Sequence, residues 1–350
     1  MYRSVDLGRL APDAIKMVDW IDYKFGELAG GWPRYPVAHF LANGQPVRSL
    51  GTAPIHVQKF NQPIELVQEL GLTKWNPDEG CQGPVLVWFN FNDSLGGELL
   101  AARIVLAFQK RRDIELILAV DNRLRNILSA NFPGSKVIGK SDNIRPFAGK
   151  FQHFLMARDT LRHVVQSERD FAETSSTIFH LPKTTRPQQH SKRRQLAIAW
   201  KTTNRSQGRY RNLNLRKFVN FLKTFDYYYA SAQHAVTRTE RAFLKNQLGD
   251  RISFEAIDPS ADIDVLAAQI ASMDGVITID NSVLHIAGAF GVPTLALLSV
   301  PSYWAWPMSG PNSRWYDSVT LIHQERPGDW EKVLEDTATI LSQWDGGNFI

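Results

Sequence analysis

The sequence has little cysteine and no long apolar run, and each shortage excludes a class of protein. A single cysteine, Cys81, among 350 residues excludes an internal disulfide and a cysteine-based zinc site. No apolar run approaches the roughly 20 residues that cross a bilayer as a helix, so no transmembrane helix is expected. The first residues carry Asp6, Asp13 and Asp19 without an apolar segment, so no signal peptide is expected either. These absences predict an intracellular, cytoplasmic protein.

Acidic residues are missing from one stretch, and this stretch determines the sign of the net charge. Residues 183–217 hold 11 Lys and Arg and no Asp or Glu, whereas the whole chain has 40 basic and 35 acidic residues. The rest of the chain keeps 29 basic and 35 acidic residues, a net charge of −6. A basic stretch suits a polyanion such as a nucleotide diphosphate, a phospholipid headgroup or nucleic acid. For its first part, Lys183–Arg194, a solvated linker is the simpler interpretation.

The remaining composition is that of a globular protein, with 43% hydrophobic and 21% charged residues. A chain of 350 residues is long enough for two domains. Short apolar runs alternate with amphipathic segments, which predicts βαβ units and therefore parallel sheets covered by helices. We therefore predict an α/β fold with an N-terminal domain at 1–182, a linker at 183–194 and a C-terminal domain at 195–350. The first 80 or so residues are expected to form an irregular extension of the first domain.

The alternation predicts the bounds of individual elements. The predicted strands are Val85–Phe91, Glu115–Val120, Gln195–Trp200, Asp226–Ala230, Ile252–Ile257, Gly275–Ile279, Thr294–Val300 and Val319–His323. The predicted helices are Leu95–Arg111, Asn122–Asn131, Leu213–Thr224, Thr237–Leu248, Asp262–Met273, Ser282–Phe290 and Asp329–Trp344.

The strongest candidate ligand site is the junction between the strand that ends before Asp280 and the helix that follows. In open α/β sheets, ligands bind beyond the carboxyl ends of the strands. Ser282 is expected to cap the helix, whose free N–H groups and dipole favour a phosphate, and His285 lies on its first turn. An ordinary strand-to-helix turn with a capping serine and a surface histidine explains the same pattern equally well.

A second junction repeats this logic at the start of the same predicted domain. Lys201 comes directly after an apolar strand, which aims it at the edge where ligands bind. Thr202 follows with a hydroxyl, and Arg209 and Arg211 supply forked donors that match phosphate oxygens. A flexible basic loop is the alternative, and it explains the position of Lys201 less well.

The blocks around these junctions resemble glycosyltransferase family 9, which includes the lipopolysaccharide heptosyltransferases and related domains fused to tetratricopeptide repeats. The resemblance runs in order through Leu196–Lys201, Arg211–Leu222, Tyr229–Gln233, Asp280–Thr294, Trp304–Trp306, Ser313–Tyr316 and Gln324–Trp330. It implies a GT-B fold, in which two Rossmann-like domains face each other across a cleft and the C-terminal domain binds the donor. It also implies a hexosyl- or heptosyltransferase that inverts the anomeric centre and uses no metal or other cofactor.

The resemblance further implies the partners and the donor-binding residues. The partners would be a nucleotide-diphosphate sugar and a glycan, lipid-linked or protein acceptor, with no nucleic acid and with peripheral membrane contact left open. Lys201 would contact the donor phosphates, while Asp280, Ser282 and His285 would hold the diphosphate and the sugar. Glu240 corresponds to a glutamate that binds the ribose. The rest of the expected donor-binding set is Thr202, Arg209, Gln233 and Asn281.

The N-terminal half departs from the family at the expected catalytic loop. Family members carry a Gly-x-Gly-Asp loop whose Asp is the proposed general base, whereas the aligned position here is Gly97. Inverting transfer needs a carboxylate or a histidine within hydrogen-bond reach of the acceptor hydroxyl. Asp93, at the end of the first predicted strand, is our choice for the base, narrowly ahead of Glu98 on the first turn of the helix. A protein that has lost catalysis is the remaining possibility.

Two further patterns have simpler interpretations than a ligand site. Asp262 and Asp264 match the Asp-x-Asp metal motif of the other glycosyltransferase fold, but they open an amphipathic helix, where acidic residues complement the dipole. We interpret them as capping residues and expect no metal. Four aromatic residues lie between the last two predicted strands: Trp304, Trp306, Trp315 and Tyr316. Such residues either stack on a base or a sugar or pack in the core, and both interpretations stay open.

Three functions follow, in decreasing order of support. The first is transfer of a sugar from a nucleotide-diphosphate sugar. The second is a non-catalytic GT-B-like protein that binds a nucleotide sugar or a partner, which the altered catalytic loop suggests. The third, nucleic-acid binding, depends on the basic stretch alone and predicts strongly salt-dependent binding to DNA or RNA.

Overall fold

The structure, a computed structural model, describes residues 67, 69–81, 83–89, 94–142, 149–165, 168–182, 193–203, 208, 211–254, 262–300, 302, 305–307 and 310–349. The predictions for Asp93, Arg209 and Trp304 lie outside these residues, as do most of the linker and of the N-terminal extension.

The first half of the described chain forms a parallel sheet. Its strands are β1 (Thr73–Lys74), β2 (Val85–Trp88), β3 (Leu116–Val120), β4 (Lys136–Gly139) and β5 (His153–Met156). They pair in the order β1-β5-β2-β3-β4. The helices are α1 (Leu95–Arg112), α2 (Arg125–Asn131), α3 (Leu161–Val164) and α4 (Glu168–Ser175), with short 3₁₀ helices at Asn122–Leu124 and Ala157–Thr160.

The second half forms another parallel sheet. Its strands are β6 (Gln195–Ala199), β7 (Tyr228–Ser231), β8 (Ile252–Phe254), β9 (Gly275–Ile279), β10 (Thr294–Leu298) and β11 (Val319–His323). They pair in the order β11-β10-β9-β6-β7-β8. The helices are α5 (Leu215–Lys223), α6 (Arg238–Leu248), α7 (Ile263–Ala271), α8 (Ser282–Ala289) and α9 (Trp330–Gln343), with a 3₁₀ helix at Gly249–Arg251.

The predicted α/β class with parallel sheets is confirmed, and most of the predicted elements are present. Strands β9 and β11 have the predicted bounds, whereas β2 ends at Trp88, earlier than predicted. The sequence did not predict β1, β4 and β5. β1 consists of two polar residues, and β4 and β5 have four residues each and begin with a polar one, so no long apolar run marks any of them.

The central strands are mostly apolar because helices cover both faces of the sheets. Every residue of β3, β6, β9 and β10 is buried. One apolar cluster includes residues of both sheets, among them Val87, Leu118, Ala197 and Val276.

The two halves meet most extensively through helices α1 and α8, and α7 also contacts the 3₁₀ helix at Asn122–Leu124. Each sheet takes its strands from one side of the predicted linker. The domain bounds and the cleft between the domains stay predictions.

Candidate functional site

The order of the second sheet reverses between β6 and β9. From β6 the chain builds outward through β7 and β8, and it then returns to add β9 on the other side of β6. Ligands of open α/β sheets bind at such a switch point, beyond the carboxyl ends of the strands. The parallel register pairs Ala199 with Thr278, so Lys201 and Asp280 follow neighbouring strand ends at one edge of the sheet.

Lys201 is held on two sides at this edge. Its Nζ lies 2.6 Å from a carboxylate oxygen of Glu240, and its backbone N–H donates to the side-chain oxygen of Gln233 over 2.8 Å. The same Gln233 oxygen accepts from the N–H of Trp200, also over 2.8 Å. Gln233 therefore ties the loop after β6 to the loop after β7, and Lys201 is a positioned cation rather than part of a loose basic loop.

Glu240 has a local structural role in addition to its contact with Lys201. It is the third residue of α6 and forms a capping box with Thr237, whose hydroxyl and backbone N–H lie 2.9 and 2.8 Å from the Glu240 carboxylate. Burial acts to raise the pKa of Glu240, but the hydrogen bonds from Lys201 and Thr237 outweigh it and lower the pKa. Glu240 is therefore an anion that holds Lys201 in place at neutral pH.

Thr202 and Arg211 extend this edge. The backbone N–H of Thr202 donates to the side chain of Asn212 over 2.7 Å, which brings these two residues together. Arg211 lies 3.3 Å from a carboxylate oxygen of Asp280, and both side chains are largely buried. The sequence showed Arg211 as a donor but gave no sign of its pairing with Asp280, because 69 residues separate the two.

The start of α8 is capped by Asn281, and the prediction of Ser282 as the cap is wrong. The Asn281 side-chain oxygen accepts from the N–H groups of Val283 and Leu284, and it also accepts from the Thr278 hydroxyl. Ser282 is instead the first helical residue. Two of the N–H groups that were expected to be open to a phosphate are therefore bonded within the protein.

His285 is buried, which corrects the interpretation of a surface histidine. Its Nδ1 lies 3.0 Å from the hydroxyl of Tyr316, and its ring stacks on Trp306 at 5.3 Å between centroids. On the side of the first half it meets Gly96, where a Cβ atom would lie only 2.3 Å from the imidazole Cδ2. Burial lowers the pKa of His285 to about 4, with Asp280 opposing the shift and Arg211 adding to it.

Glu98 lies at the corresponding edge of the first sheet. One carboxylate oxygen accepts from Lys140 Nζ after β4, and the other accepts from the N–H of Asp121 after β3 over 2.8 Å. Burial raises the pKa of Glu98, and the charge and hydrogen bond of Lys140 together with the Asp121 N–H only partly offset it. Glu98 therefore bonds within the first half, and none of the described hydrogen bonds or ion pairs joins it to Lys201, Glu240 or Asp280.

The interpretation as a capping residue is confirmed for Asp262, whereas Asp264 lies within the first turn of α7 and caps nothing. Asp262 caps α7 by accepting from the N–H of Val265 over 3.1 Å, and Asp264 accepts from the side chain of Asn126 over 2.6 Å. Across the described ranges, no group of three or more His, Cys, Asp or Glu side chains is arranged to hold a metal ion. Nor does any helix of those ranges have the length and apolar character needed to cross a membrane.

Packing explains three of the four late aromatic residues. Trp306, Trp315 and Tyr316 are essentially fully buried. The Trp315 indole N–H donates to the carbonyl of Ala305 over 2.7 Å, and the Tyr316 ring fills the space above Gly288. Trp304, the fourth, lies outside the described residues.

Comparison with known proteins gives one relative by sequence. No family model matches the chain. Protein FlbA of Caulobacter vibrioides is 36% identical over 115 residues, which are 32% of this chain and 19% of FlbA. The chain thus matches less than a fifth of the length of that relative.

The similar solved structures are glycosyltransferases. Escherichia coli ADP-heptose lipopolysaccharide heptosyltransferase II is 14% identical with a TM-score of 0.45, covering 74% of this chain and 99% of its own. E. coli heptosyltransferase WaaC with ADP is 12% identical with a TM-score of 0.46, covering 76% and 100%. The family 9 glycosyltransferase of Veillonella parvula is 10% identical with a TM-score of 0.44, covering 80% and 95%. The resemblance seen in the sequence is to the same group of enzymes.

Proposed function

We propose that the protein is a glycosyltransferase of the hexosyl- or heptosyl-transferring type. It moves a sugar from a nucleotide-diphosphate sugar to a glycan, lipid-linked or protein acceptor, with inversion, without a metal and in the cytoplasm. The observation that carries the proposal is the switch point between β6 and β9, where Lys201 and Arg211 are held by the carboxylates Glu240 and Asp280. The blocks that resemble family 9 contribute Lys201, Arg211, Gln233 and Asp280 to this edge.

In transfer from such a donor, the protein itself forms no covalent bond and mainly positions the reactants and stabilises charge. The leaving diphosphate needs fixed positive charge, and the acceptor needs alignment and a base. Lys201 and Arg211 supply two cations whose positions are set before the ligand arrives, because each is already paired and hydrogen-bonded. Preorganised charge of this kind stabilises a developing anion without reorganisation during the reaction.

The contacts of Glu98 favour Asp93 as the general base. Both carboxylate oxygens of Glu98 already accept hydrogen bonds, and its side chain is 2% exposed. Asp93 directly precedes Ser94, the cap of α1, and the first turn of that helix meets His285 through Gly96. The segment that carries Asp93 therefore leads into the part of the first half that touches the proposed donor site.

Donor binding is tested with the full chain and a panel of nucleotide sugars that differ in base and sugar. A bound ligand at 100 times its Kd stabilises by roughly 2.7 kcal/mol, so the correct donor raises the melting temperature. Lys201→Met removes a charged contact worth about 1.5–3 kcal/mol, so affinity should fall about tenfold or more. The control is Lys223→Met, on the last turn of α5 and bonded only to Gln247 among its described neighbours. Equal affinity in the two variants would contradict the assignment.

Measurement of turnover distinguishes a transferase from a protein that only binds the nucleotide sugar. Asp93→Asn keeps the size of the side chain but cannot accept a proton, so turnover should fall about 10²–10⁴-fold with little change in donor affinity. Glu98→Gln is the matched control. A large loss in Glu98→Gln alone would move the base to Glu98, and no loss in either variant, or no turnover by the wild type, would favour the non-catalytic alternative. Loss of activity in a chelator with recovery in Mg²⁺ or Mn²⁺ would contradict metal independence.

A further inference from the structure

Tyr316 lies in a fully buried position at the junction of the two halves. Its ring is 0% exposed and packs against Gly288 of α8, where a Cβ atom would lie 2.5 Å from the ring. The guanidinium carbon of Arg103, from α1, lies 4.6 Å from the ring centroid. Arg103 is itself anchored by donating to the carbonyls of Trp315 and Ser175 over 2.6 and 2.7 Å. The phenol is therefore held in one position by neighbours from both halves.

The hydroxyl of Tyr316 determines which nitrogen of His285 carries the proton. Burial raises the pKa of Tyr316, and the charge of Arg103 only partly opposes this, so the phenol keeps its proton at neutral pH. A buried O–H group needs an acceptor. Two described residues hydrogen-bond this hydroxyl: Arg103, which can only donate to it, and His285 Nδ1, which lies 3.0 Å away and can accept from it. If Nδ1 carried the proton instead, the phenolic hydrogen would be left without an acceptor.

The remaining nitrogen, Nε2, then carries the proton of the neutral ring. It lies beside the start of α1, where a Cβ atom at Gly96 would be 3.1 Å away. None of the residues described accepts a hydrogen bond from it. The charged groups nearest to the ring are Asp280 and Arg211 from the second sheet, and Arg103 reaches it through Tyr316.

We propose that Tyr316 is a positioning residue that fixes His285 in the Nε2–H form, so that His285 offers a neutral N–H donor to a diphosphate oxygen of the nucleotide sugar. The ligand in this proposal rests on the proposed function, whereas the position of the proton does not. A neutral donor adds directionality at a site where Lys201 and Arg211 already supply the positive charge.

The protonated nitrogen is measured by NMR on the full chain labelled with ¹⁵N in histidine, using long-range ¹H–¹⁵N correlations. The signal is assigned by its loss in His285→Gln. We expect the neutral Nε2–H form from pH 8 to pH 5, and we expect Tyr316→Phe to give a mixture of the two neutral forms. The neutral Nδ1–H form in the wild type, or an unchanged signal in Tyr316→Phe, would overturn the proposal. This measurement needs no ligand, so it decides the role of Tyr316 even if no nucleotide sugar binds.

The role of His285 as a hydrogen-bond donor to the diphosphate is tested by measuring the affinity of the protein for ADP, UDP and GDP. The side-chain amide of glutamine reaches the position of Nε2, and that of asparagine reaches the position of Nδ1. The two replacements therefore show which of the two nitrogens contacts the nucleotide. We expect His285→Gln to bind within about threefold of the wild type and His285→Asn to bind about tenfold more weakly, a loss of about 1.4 kcal/mol. The reverse order would overturn the proposal. If the wild type binds no nucleotide, the proposed function fails and the NMR result still stands.

Tyr229→Phe is the matched control for loss of a buried phenol. Tyr229 is fully buried in the same half, and its hydroxyl donates to the carbonyl of Leu222 over 2.8 Å, away from His285. We expect Tyr316→Phe to weaken nucleotide binding about three- to tenfold while Tyr229→Phe leaves it unchanged, with both variants folded by circular dichroism. An equal loss in both variants would mean that Tyr316 acts through stability alone.

Discussion

Glu98 and His285 are buried titratable residues on the first turns of α1 and α8, and burial favours the neutral form of each. For Glu98, Lys140 and the Asp121 N–H oppose the shift. For His285, the partner is the neutral hydroxyl of Tyr316, so the ring stays uncharged over the physiological range. In the proposed function, His285 would therefore meet the diphosphate as a neutral hydrogen-bond donor and not as a cation.

The buried state of His285 predicts a loss of stability as the pH falls. Above pH 6.5 the ring is neutral in the folded and the unfolded chain. Below it the unfolded chain binds a proton, while the folded chain does not until about pH 4, so protons favour unfolding. Each pH unit in this window is worth about 1.4 kcal/mol, so the free energy of unfolding should drop by about 2 kcal/mol between pH 6.5 and 5. Urea denaturation at the two pH values measures the drop.

Two variants isolate the contribution of His285. His285→Gln should remove most of this drop, because glutamine does not titrate. His180→Gln, at an exposed site in the first half, should keep it. The same pH dependence in wild type and His285→Gln would show that the histidine is not buried in the neutral form.

At the level of elements, the start of α8 shows how a cap decides which groups a ligand can reach. Asn281 and Ser282 are both good capping residues, so the sequence alone does not separate them. The backbone decides, because Asn281 is extended and its side chain accepts from the N–H groups of Val283 and Leu284, while Ser282 already has helical geometry. Fewer backbone N–H groups are therefore open to a ligand at this edge than the sequence suggested. The proposed phosphate site would depend more on side chains such as Lys201 and Arg211.

Loss of the observed cap should cost more stability than loss of the predicted one. Asn281→Ala leaves two N–H groups without their partner, and we expect a loss of about 1 kcal/mol, within a range of about 0.5–2 kcal/mol. Ser282→Ala removes no helix cap and should change stability by about 0.5 kcal/mol or less. Urea denaturation of both variants measures the difference, and equal losses would contradict the assignment of the cap.

At the level of the whole molecule, α1 joins the two halves at several points along one face. Gly96 admits the ring of His285, and Arg103, seven residues later, bonds to the carbonyl of Trp315 and lies over the ring of Tyr316. Residues 96 and 103 are two turns apart, so both lie on the same side of the helix. The halves therefore share a buried surface next to the proposed donor site, and the apolar cluster around it includes both sheets.

Gly96→Ala tests this close approach. The added Cβ would lie 2.3 Å from the His285 ring, and such overpacking costs about 1–3 kcal/mol. A contact of 2.3 Å with a ring carbon belongs to the upper part of that range, about 2–3 kcal/mol, and the better helix propensity of alanine returns about 1 kcal/mol. We therefore expect a net loss of about 1–2 kcal/mol. Thermal unfolding followed by circular dichroism and by tryptophan fluorescence measures it, and the two signals should report one transition because the core is shared.

The control is Gly80→Ala, at a position where a Cβ atom meets nothing within 4 Å. It should change stability by about 0.5 kcal/mol or less. A neutral Gly96→Ala, or two separate transitions in the wild type, would contradict the packing of α1 on α8.

The sequence by itself determined the α/β class, most strands of the second sheet and the placement of Lys201 and Asp280 at strand ends. These features depend on the spacing of apolar residues and on neighbours along the chain, which a short window of sequence contains. It did not determine the pairing of Arg211 with Asp280, the sharing of Lys201 by Gln233 and Glu240, or the burial of His285 under Tyr316. Each of these joins residues that lie 31 to 69 positions apart. Only the tertiary structure decides such contacts, since burial and charge pairing depend on which strand ends become neighbours.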